Sequence, residues 1–340
     1  MISFLKYRIP LYYTLIICFL FTFIAFIVVK QINIPLFDQT NNNAAPVVND
    51  YSNNSVDLKR LGGYNFIAPL MFVEKRSKAD KYAPLMQKIA AYIDTKKAAN
   101  EIVDASFYFK EVNTLDWTGY NEDQKYFPGS LMKVPILLSY LRLEEKTPGL
   151  LEKQLFYKAP FNDGLDVTIL SKQLKAGQFY TVKELLRCMV SYSDNNATTL
   201  LDRNLDQNVF NKTLTDLGLA MPEKGARQYP ISAKDYSLFM RAIYNASYLT
   251  ITNSEYAAEL LSTTEFKDGF AKGFPPSVKM IEKFGESGTT LEHHLSESGI
   301  VYVNNKPYVL TVMTKGKELS ALATAIADIA NIVYQQIAAY

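Results

Sequence analysis

Cysteine and histidine are scarce in this sequence, and each scarcity narrows the chemistry that the chain can perform. The 340 residues include two cysteines, Cys18 and Cys188, and Cys18 falls in an apolar N-terminal segment. This separation argues against an internal disulfide. The two histidines, His293 and His294, are adjacent, and adjacent strand residues face opposite ways. The sequence therefore gives little support for a multi-histidine metal site or for a Ser-His-Asp triad. We expect no cofactor.

The sequence also lacks an excess of charge of either sign. Its 36 Lys and Arg residues against 34 Asp and Glu residues give a formal net charge of +2. Nucleic-acid-binding proteins usually carry a strongly basic face, so nucleic acid is not an expected partner. With 48% hydrophobic residues, the chain has enough apolar material for one large core or two modest ones.

One long stretch near the N-terminus has no charged residue at all. Residues 11–29 come close to the ~20 residues that a helix needs to cross a bilayer. Lys6 and Arg8 precede the stretch and Lys30 follows alone, which favours a cytoplasmic N-terminus. The alternative is a cleaved signal peptide, but the run is long for one and no A-x-A-like site follows it. The sequence predicts an uncleaved anchor after a cytoplasmic segment 1–10, with the later residues in the periplasm or at the cell surface.

Three segments follow the predicted anchor. Residues 30–63 are rich in asparagine and poor in apolar runs, which predicts a linker. Residues 64–80 are apolar at first and broken by Pro69, and they form either an extra strand or a docking segment. Residues 81–340 carry the periodic patterns of a folded domain.

Hydrophobic periodicity within residues 81–340 predicts a block of helices between strands. The predicted helices cover residues 82–97, 131–143, 181–192, 198–205, 209–217, 232–244, 254–261 and 318–338. The predicted strands cover residues 103–112, 117–120, 299–303 and 308–314. This order indicates an α+β fold in which the terminal segments share an antiparallel sheet. A cleft between the sheet and the helical block is the expected place for a site.

Three short motifs follow one another along the predicted domain. They are S-L-M-K at residues 130–133, S-D-N at residues 193–195 and K-F-G at residues 283–285. The first opens a predicted buried helix, the second follows a helix, and the third lies just before the final strand pair. Each motif alone is weak, since Ser130 also suits a helix cap and Lys283 a solvated strand. Their order and context agree, which favours a common function.

The residue types in these motifs suit nucleophilic catalysis by serine. A serine hydroxyl needs a base within hydrogen-bond reach, and residues at i and i+3 share a helix face, which brings Lys133 beside Ser130. Burial and a second cation, Lys283, would lower the pKa of Lys133 and leave it neutral. The N–H groups of Ser130, at a helix start, and of Glu286, on a strand, would stabilise an oxyanion.

In these motifs the sequence resembles class A β-lactamases and related penicillin-binding serine hydrolases, over roughly residues 81–340. The resemblance implies an antiparallel sheet with flanking terminal helices and a helical subdomain, and a β-lactam or a peptidoglycan peptide as substrate. It also implies a role for each motif residue: Ser130 as nucleophile, Lys133 as general base, Ser193 as proton relay, Asn195 as ligand of the substrate amide, Lys283 as ligand of its carboxylate and Gly285 as a point of close approach.

Two departures from the family pattern bear on activity. The third motif has Phe284 where the family has a hydroxyl residue that binds the substrate carboxylate. The E-x-x-L-N pattern that activates the deacylating water is absent between residues 218 and 231, where Glu223 is the only carboxylate. We therefore expect acylation without efficient deacylation. A domain that keeps the fold and binds its ligand without turnover is the alternative.

Overall fold

The computed structural model describes residues 47–49, 56–161, 173–222, 229–289 and 291–339. The predicted cytoplasmic segment 1–10, the predicted transmembrane segment 11–29, most of the predicted linker 30–63 and Glu223 lie outside these residues. Within the described residues, no helix combines the length and the apolar character that crossing a bilayer requires.

The predicted strands and helices follow one another in the predicted order, and a ten-residue strand (Lys279–Gly288), several shorter strands and a short helix (Phe270–Gly273) are additional. The strands are β1 (Val47–Asn49), β2 (Val56–Arg60), β3 (Leu70–Lys75), β4 (Asp104–Glu111), β5 (Trp117–Tyr120), β6 (Lys125–Tyr126), β7 (Gln154–Tyr157), β8 (Gln178–Thr181), β9 (Ile231–Ser232), β10 (Lys279–Gly288), β11 (His293–Val303) and β12 (Lys306–Gly316). The α-helices are α1 (Ala83–Ala98), α2 (Lys133–Lys146), α3 (Val182–Ser191), α4 (Asn195–Asp202), α5 (Gln207–Asp216), α6 (Ala233–Tyr244), α7 (Ile251–Ser262), α8 (Phe270–Gly273) and α9 (Leu319–Ala338).

The largest sheet has five antiparallel strands in the order β10-β11-β12-β4-β5. Strands β10, β11 and β12 form a meander, and the turn between β11 and β12 has Asn304 and Asn305 at φ values of 46° and 59°. Two left-handed residues suit a two-residue hairpin turn. Strand β4 pairs with β12, so segments from both ends of the domain share one sheet. This pairing confirms the α+β prediction.

Each face of this sheet packs against helices, because side chains alternate between the two faces along a strand. Along β12, Leu310 and Val312 lie in a core with the terminal helices α1 and α9. Val309 and Met313 lie in a second core with the helical block from α2 to α7. The predicted flanking helices and helical subdomain are therefore both present.

The structure differs from the sequence predictions around two motifs. Residues 283–285 precede the final strand pair, as predicted, but they lie in a further strand, β10, which is missing from the predicted strands. A strand is recognised by alternating apolar and polar residues. The two buried charged residues Glu282 and Lys283 interrupt this alternation in β10. The helix predicted for residues 131–143 begins as a 3-10 turn and continues as α2, with Pro135 in the first α-helical turn.

A three-stranded sheet of β1, β2 and β3 precedes the main domain in the chain. Strand β2 falls within the predicted linker 30–63, and β3 falls within segment 64–80. Glu74 on β3 pairs with Lys110 at 3.0 Å and with Arg241 at 2.5 Å. Burial raises the pKa of Glu74, but the two cations outweigh this effect and the pKa is lowered overall. A partly buried carboxylate between two cations thus ties the small sheet to the main domain.

Candidate active site

Ser130 lies in a 3-10 turn directly before α2, and strand β10 passes against this turn. Gly129 has a φ of 53°, and a Cβ there would lie 2.0 Å from Glu286 O. A Cβ on Gly285 would lie 2.0 Å from Pro128 O. Only residues without a side chain permit this approach, which sets the Ser130 turn against the backbone of β10.

Lys133 is the first residue of α2, and only 3% of it is exposed. Its Nζ donates to Ser193 O at 2.6 Å, to Ser193 Oγ at 2.9 Å and to Asn195 Oδ1 at 2.8 Å. Burial lowers the pKa of Lys133 well below its usual value, the charge of Lys283 lowers it further, and Asp194 opposes them. Lys133 is therefore suited to be neutral and to accept a proton.

Local hydrogen bonds hold the S-D-N motif between helices α3 and α4. Ser193 has a φ of 53°, a left-handed conformation that turns the chain sharply between the two helices. Asp194 caps α4, because its Oδ1 accepts from Ala197 N at 2.9 Å, and its Oδ2 accepts from Leu174 N at 2.9 Å. These bonds fix the backbone on either side of the Ser193 hydroxyl, so that it meets Lys133 in a set geometry.

Lys283 approaches the same hydroxyl from strand β10. It is fully buried, and its Nζ donates to Ser193 Oγ at 3.1 Å and to Phe284 O at 3.2 Å. Burial lowers the pKa of Lys283 to about 7, while the negative charges of Glu282 and Glu297 oppose the shift. The Ser193 hydroxyl thus links two lysines whose pKa values lie below that of a solvated lysine. Two such amines joined through one hydroxyl form the arrangement that a proton relay needs.

Phe284 occupies the middle of the third motif and turns its ring into the core beside helices α1 and α9. The ring stacks on Phe266 with centroids 4.4 Å apart and planes 22° apart. Lys283 Nζ lies 4.0 Å from the centre of the Phe284 ring. A ring offers no hydroxyl, so nothing at this position can replace the carboxylate-binding group that the family pattern has there.

The comparison with known proteins identifies the family of this chain. A model of the beta-lactamase enzyme family matches residues 84–337. The chain belongs to the beta-lactamase enzyme family. A search of curated protein sequences found no match.

Solved structures of the same fold include PBP-A and class A β-lactamases. PBP-A is 20% identical over 76% of this chain and 97% of its own, with a TM-score of 0.63. A PBP-A mutant, solved as an acyl-enzyme complex with penicillin G, gives the same values. A class A β-lactamase from Mycobacterium abscessus is 18% identical over 74% of this chain and 99% of its own, with a TM-score of 0.61. At these identities the likeness shows the fold alone.

In this member of the beta-lactamase enzyme family, the structure brings most of the predicted site residues together. One hydrogen-bonded group contains Lys133, Ser193, Asn195 and Lys283. Gly285 and Glu286 lie against the turn that carries Ser130. The hydrogen bond between the Ser130 hydroxyl and the Lys133 amine stays a prediction.

The two histidines lie at the start of β11 and not in this group. Phe127 N donates to His294 Nδ1 at 3.3 Å, and His294 Nε2 lies 3.4 Å from Glu292 Oε1. Burial lowers the pKa of His294, which favours a neutral ring. Among the residues that the structure describes, no group of three or more His, Cys, Asp or Glu side chains could hold a metal ion.

Sequence reasoning missed two carboxylates that act on Lys283. Glu282 directly precedes Lys283 in β10, and Glu297 pairs with Phe284 across the strands. Both glutamates are buried. The sequence does show that Glu282 directly precedes the K-F-G motif. Its proximity to Glu297 depends on the register of the two strands, and no local sequence pattern determines that register.

Proposed function

We propose that this chain is a membrane-anchored serine hydrolase that forms an acyl-enzyme at Ser130. The observation that carries the proposal is the Ser193 hydroxyl, which lies within 2.9 Å of Lys133 Nζ and 3.1 Å of Lys283 Nζ. Two buried lysines joined by one hydroxyl form a path for a proton, and this path begins at the helix that carries Ser130. A purely structural role does not call for two lysines buried side by side, because their charges repel each other.

The proposed reaction begins when Lys133, as a neutral amine, takes the proton of the Ser130 hydroxyl. Ser130 Oγ then bonds to the carbonyl carbon of the substrate, and the N–H groups of Ser130 and Glu286 stabilise the oxyanion. When the C–N bond breaks, the Ser193 hydroxyl gives its proton to the leaving nitrogen. Ser193 regains a proton from Lys133, so that the amine is neutral again and the acyl group remains on Ser130.

The proposed substrate is a β-lactam or a D-Ala-type amide of peptidoglycan. The PBP-A mutant solved as an acyl-enzyme with penicillin G shares the fold, which supports a lactam as the first compound to try. Lys283 would bind the carboxylate of either substrate, and Asn195 would bind its amide. Because Phe284 supplies no second carboxylate ligand, we expect acylation to need a high lactam concentration.

We expect the full chain to be acylated by penicillin and to release the product slowly. Deacylation needs a positioned water, and the glutamate pattern that supplies one in class A β-lactamases is absent. Losing a positioned general base costs about 10²–10⁴-fold in such a step. Intact mass spectrometry over time after a pulse of labelled penicillin measures both the formation of the adduct and its loss.

A matched variant, Glu223→Gln, makes this test specific for deacylation. If the only carboxylate between residues 218 and 231 has no role, the variant loses its adduct at the rate of the native chain. Rapid turnover that Glu223→Gln abolishes would contradict slow release and would identify an efficient β-lactamase. A folded chain that forms no adduct with any lactam or D-Ala-D-Ala peptide would point to a binding module without turnover.

We further propose that residues 11–29 stay attached as a single-pass anchor and hold residues 81–340 outside the cytoplasm, beyond the linker 30–63 and segment 64–80. The uncharged run and the preceding Lys6 and Arg8 support this arrangement. N-terminal sequencing of the membrane fraction is expected to start before residue 11. A mature chain that starts after residue 29 would show a cleaved signal peptide instead.

A further inference from the structure

Two glutamates, Glu282 on β10 and Glu297 on β11, act electrostatically on Lys283 and have no part in the reaction described above. They are 3% and 0% exposed. Strand pairing places Glu297 opposite Phe284, two residues along from Glu282, so the two glutamates are diagonal neighbours on one face. A Cβ on Gly269 would lie 1.8 Å from Glu297 Oε2, so the absence of a side chain there leaves the space that this carboxyl fills.

The hydrogen bonds of the two carboxyl groups require a proton between them. Glu282 Oε2 and Glu297 Oε1 are buried and receive no hydrogen bond from an N–H or O–H group of the described residues. The strand register makes the two side chains diagonal neighbours. Burial has the largest effect on both pKa values, and a hydrogen bond between the carboxyl groups lowers the pKa of Glu282 and raises that of Glu297. Ionised carboxylates only accept hydrogen bonds, so this bond forms when one of the two is protonated. One proton then satisfies both oxygens.

The surroundings favour one ionised carboxyl group and disfavour two. Phe270 N donates to Glu297 Oε2 at 2.9 Å, and positive charge from Lys283 and Lys267 acts on Glu282. Burial raises the pKa of Glu297 well above its usual value, and the neighbouring Glu282 raises it further. Burial also raises the pKa of Glu282. Two like charges on neighbouring side chains cannot both be retained in a buried site, so the pair carries about one negative charge in total.

We propose that Glu282 and Glu297 are positioning residues that share one proton, and that their single negative charge keeps Lys283 protonated while Lys133 is neutral. The two lysines otherwise differ little, since both are buried and both contact the Ser193 hydroxyl. The carboxyl pair acts on Lys283, whereas Lys133 has Asp194 as its acidic neighbour. The pair therefore decides which lysine binds a carboxylate and which accepts a proton.

The inference that the two glutamates share a proton depends only on the structure. The effect of that proton on acylation rests on the proposed function. Three variants separate the two parts, namely Glu282→Gln, Glu297→Gln and the double variant. In each single variant the glutamine amide donates to the remaining carboxylate, so the hydrogen bond and the single negative charge are kept. The double variant keeps similar side-chain volumes and removes the charge. The single variants are therefore matched controls for packing.

The first measurement is infrared spectroscopy of the full chain across a pH titration. At pH 8 solvated carboxyl groups are ionised, so a protonated carboxylic acid gives an isolated C=O band. We expect this band in the native chain and its loss in both single variants, because each retains only an ionised glutamate. A native chain without the band, or a band that persists in both single variants, would overturn the shared proton.

The second measurement is the pH profile of penicillin acylation. The native rate is expected to fall as pH rises through the pKa of Lys283, about 7. In the double variant, which lacks the opposing negative charge, we expect this fall in rate to occur at a pH lower by roughly one to three units. In the single variants we expect it at the native pH. We call this falling part of the profile the alkaline limb. An unmoved limb in a folded double variant, or equal shifts in all three variants, would refute the positioning role. If no lactam acylates the chain, the proposed function fails, and the infrared band still decides whether the proton is shared.

Discussion

Ser130→Ala is expected to abolish the penicillin adduct completely. The Ser130 hydroxyl oxygen is the atom proposed to bond to the acyl group, whereas the Ser193 hydroxyl, which lies 2.9 Å from Lys133 Nζ, is proposed to relay protons. Intact mass spectrometry of the native and variant chains, incubated at the same penicillin concentration, measures the effect. The exposed Ser262 at the end of α7 provides a matched control, because its hydroxyl donates to Glu259 O within the same helix at 2.7 Å.

The adduct of the native chain should also map to the peptide that contains Ser130. A persistent adduct in Ser130→Ala would contradict the assignment of the nucleophile. In that event the labelled peptide identifies the true one, and a label at Ser193 would mean that the two hydroxyls have exchanged roles. Unchanged labelling in Ser262→Ala is needed for either conclusion, since it shows that the loss is specific.

Lys133→Ala is expected to slow acylation by about 10²–10⁴-fold, the usual effect of removing a positioned general base. Burial and the charge of Lys283 favour a neutral Lys133, and only a neutral amine can take the Ser130 proton. Stopped-flow or timed mass spectrometry of adduct formation measures the rate. The burial of Lys133 means that the alanine variant also loses packing, so its thermal unfolding is measured in parallel.

The conservative variant Lys133→Arg distinguishes a role of Lys133 as a base from a role as a positive charge. A guanidinium keeps its charge at every accessible pH, so it can replace an electrostatic role but cannot accept a proton. We expect Lys133→Arg to be slowed by a factor similar to that of Lys133→Ala. An arginine variant that acylates at nearly the native rate would show that Lys133 acts through its charge, and the base would have to be sought elsewhere in the site.

Features that depend on neighbouring residues could be predicted from the sequence. The spacing of Ser130 and Lys133 places both at the start of one helix, and the structure has them in consecutive turns there. The helix predicted from residue 181 begins with a capping box between Thr181 and Glu184. The final helix, predicted for residues 318–338, matches α9 (Leu319–Ala338). Each of these patterns is complete within a few turns of the chain, so no distant partner is needed to interpret it.

Strand β10 shows where such patterns fail. It is an edge strand of the main sheet, yet it carries a buried glutamate, Glu282, and a buried lysine, Lys283, where a strand is expected to alternate between apolar and polar residues. The strand was therefore recognisable only through the K-F-G motif. The contact of Gly285 with Pro128 is equally remote in sequence, and only the close passage of the two backbones explains why neither Gly129 nor Gly285 has room for a side chain.

The sequence by itself determined the fold class, the helical block and the identity of the motif residues. Only the tertiary structure decided how their charges are arranged. The bonds of Lys133 and Lys283 to Ser193 span 60 and 90 residues, and the pairing of Glu282 with Glu297 depends on the register of β10 and β11. The protonation of these groups follows from burial and from their charged neighbours, and both arise only when distant segments pack together.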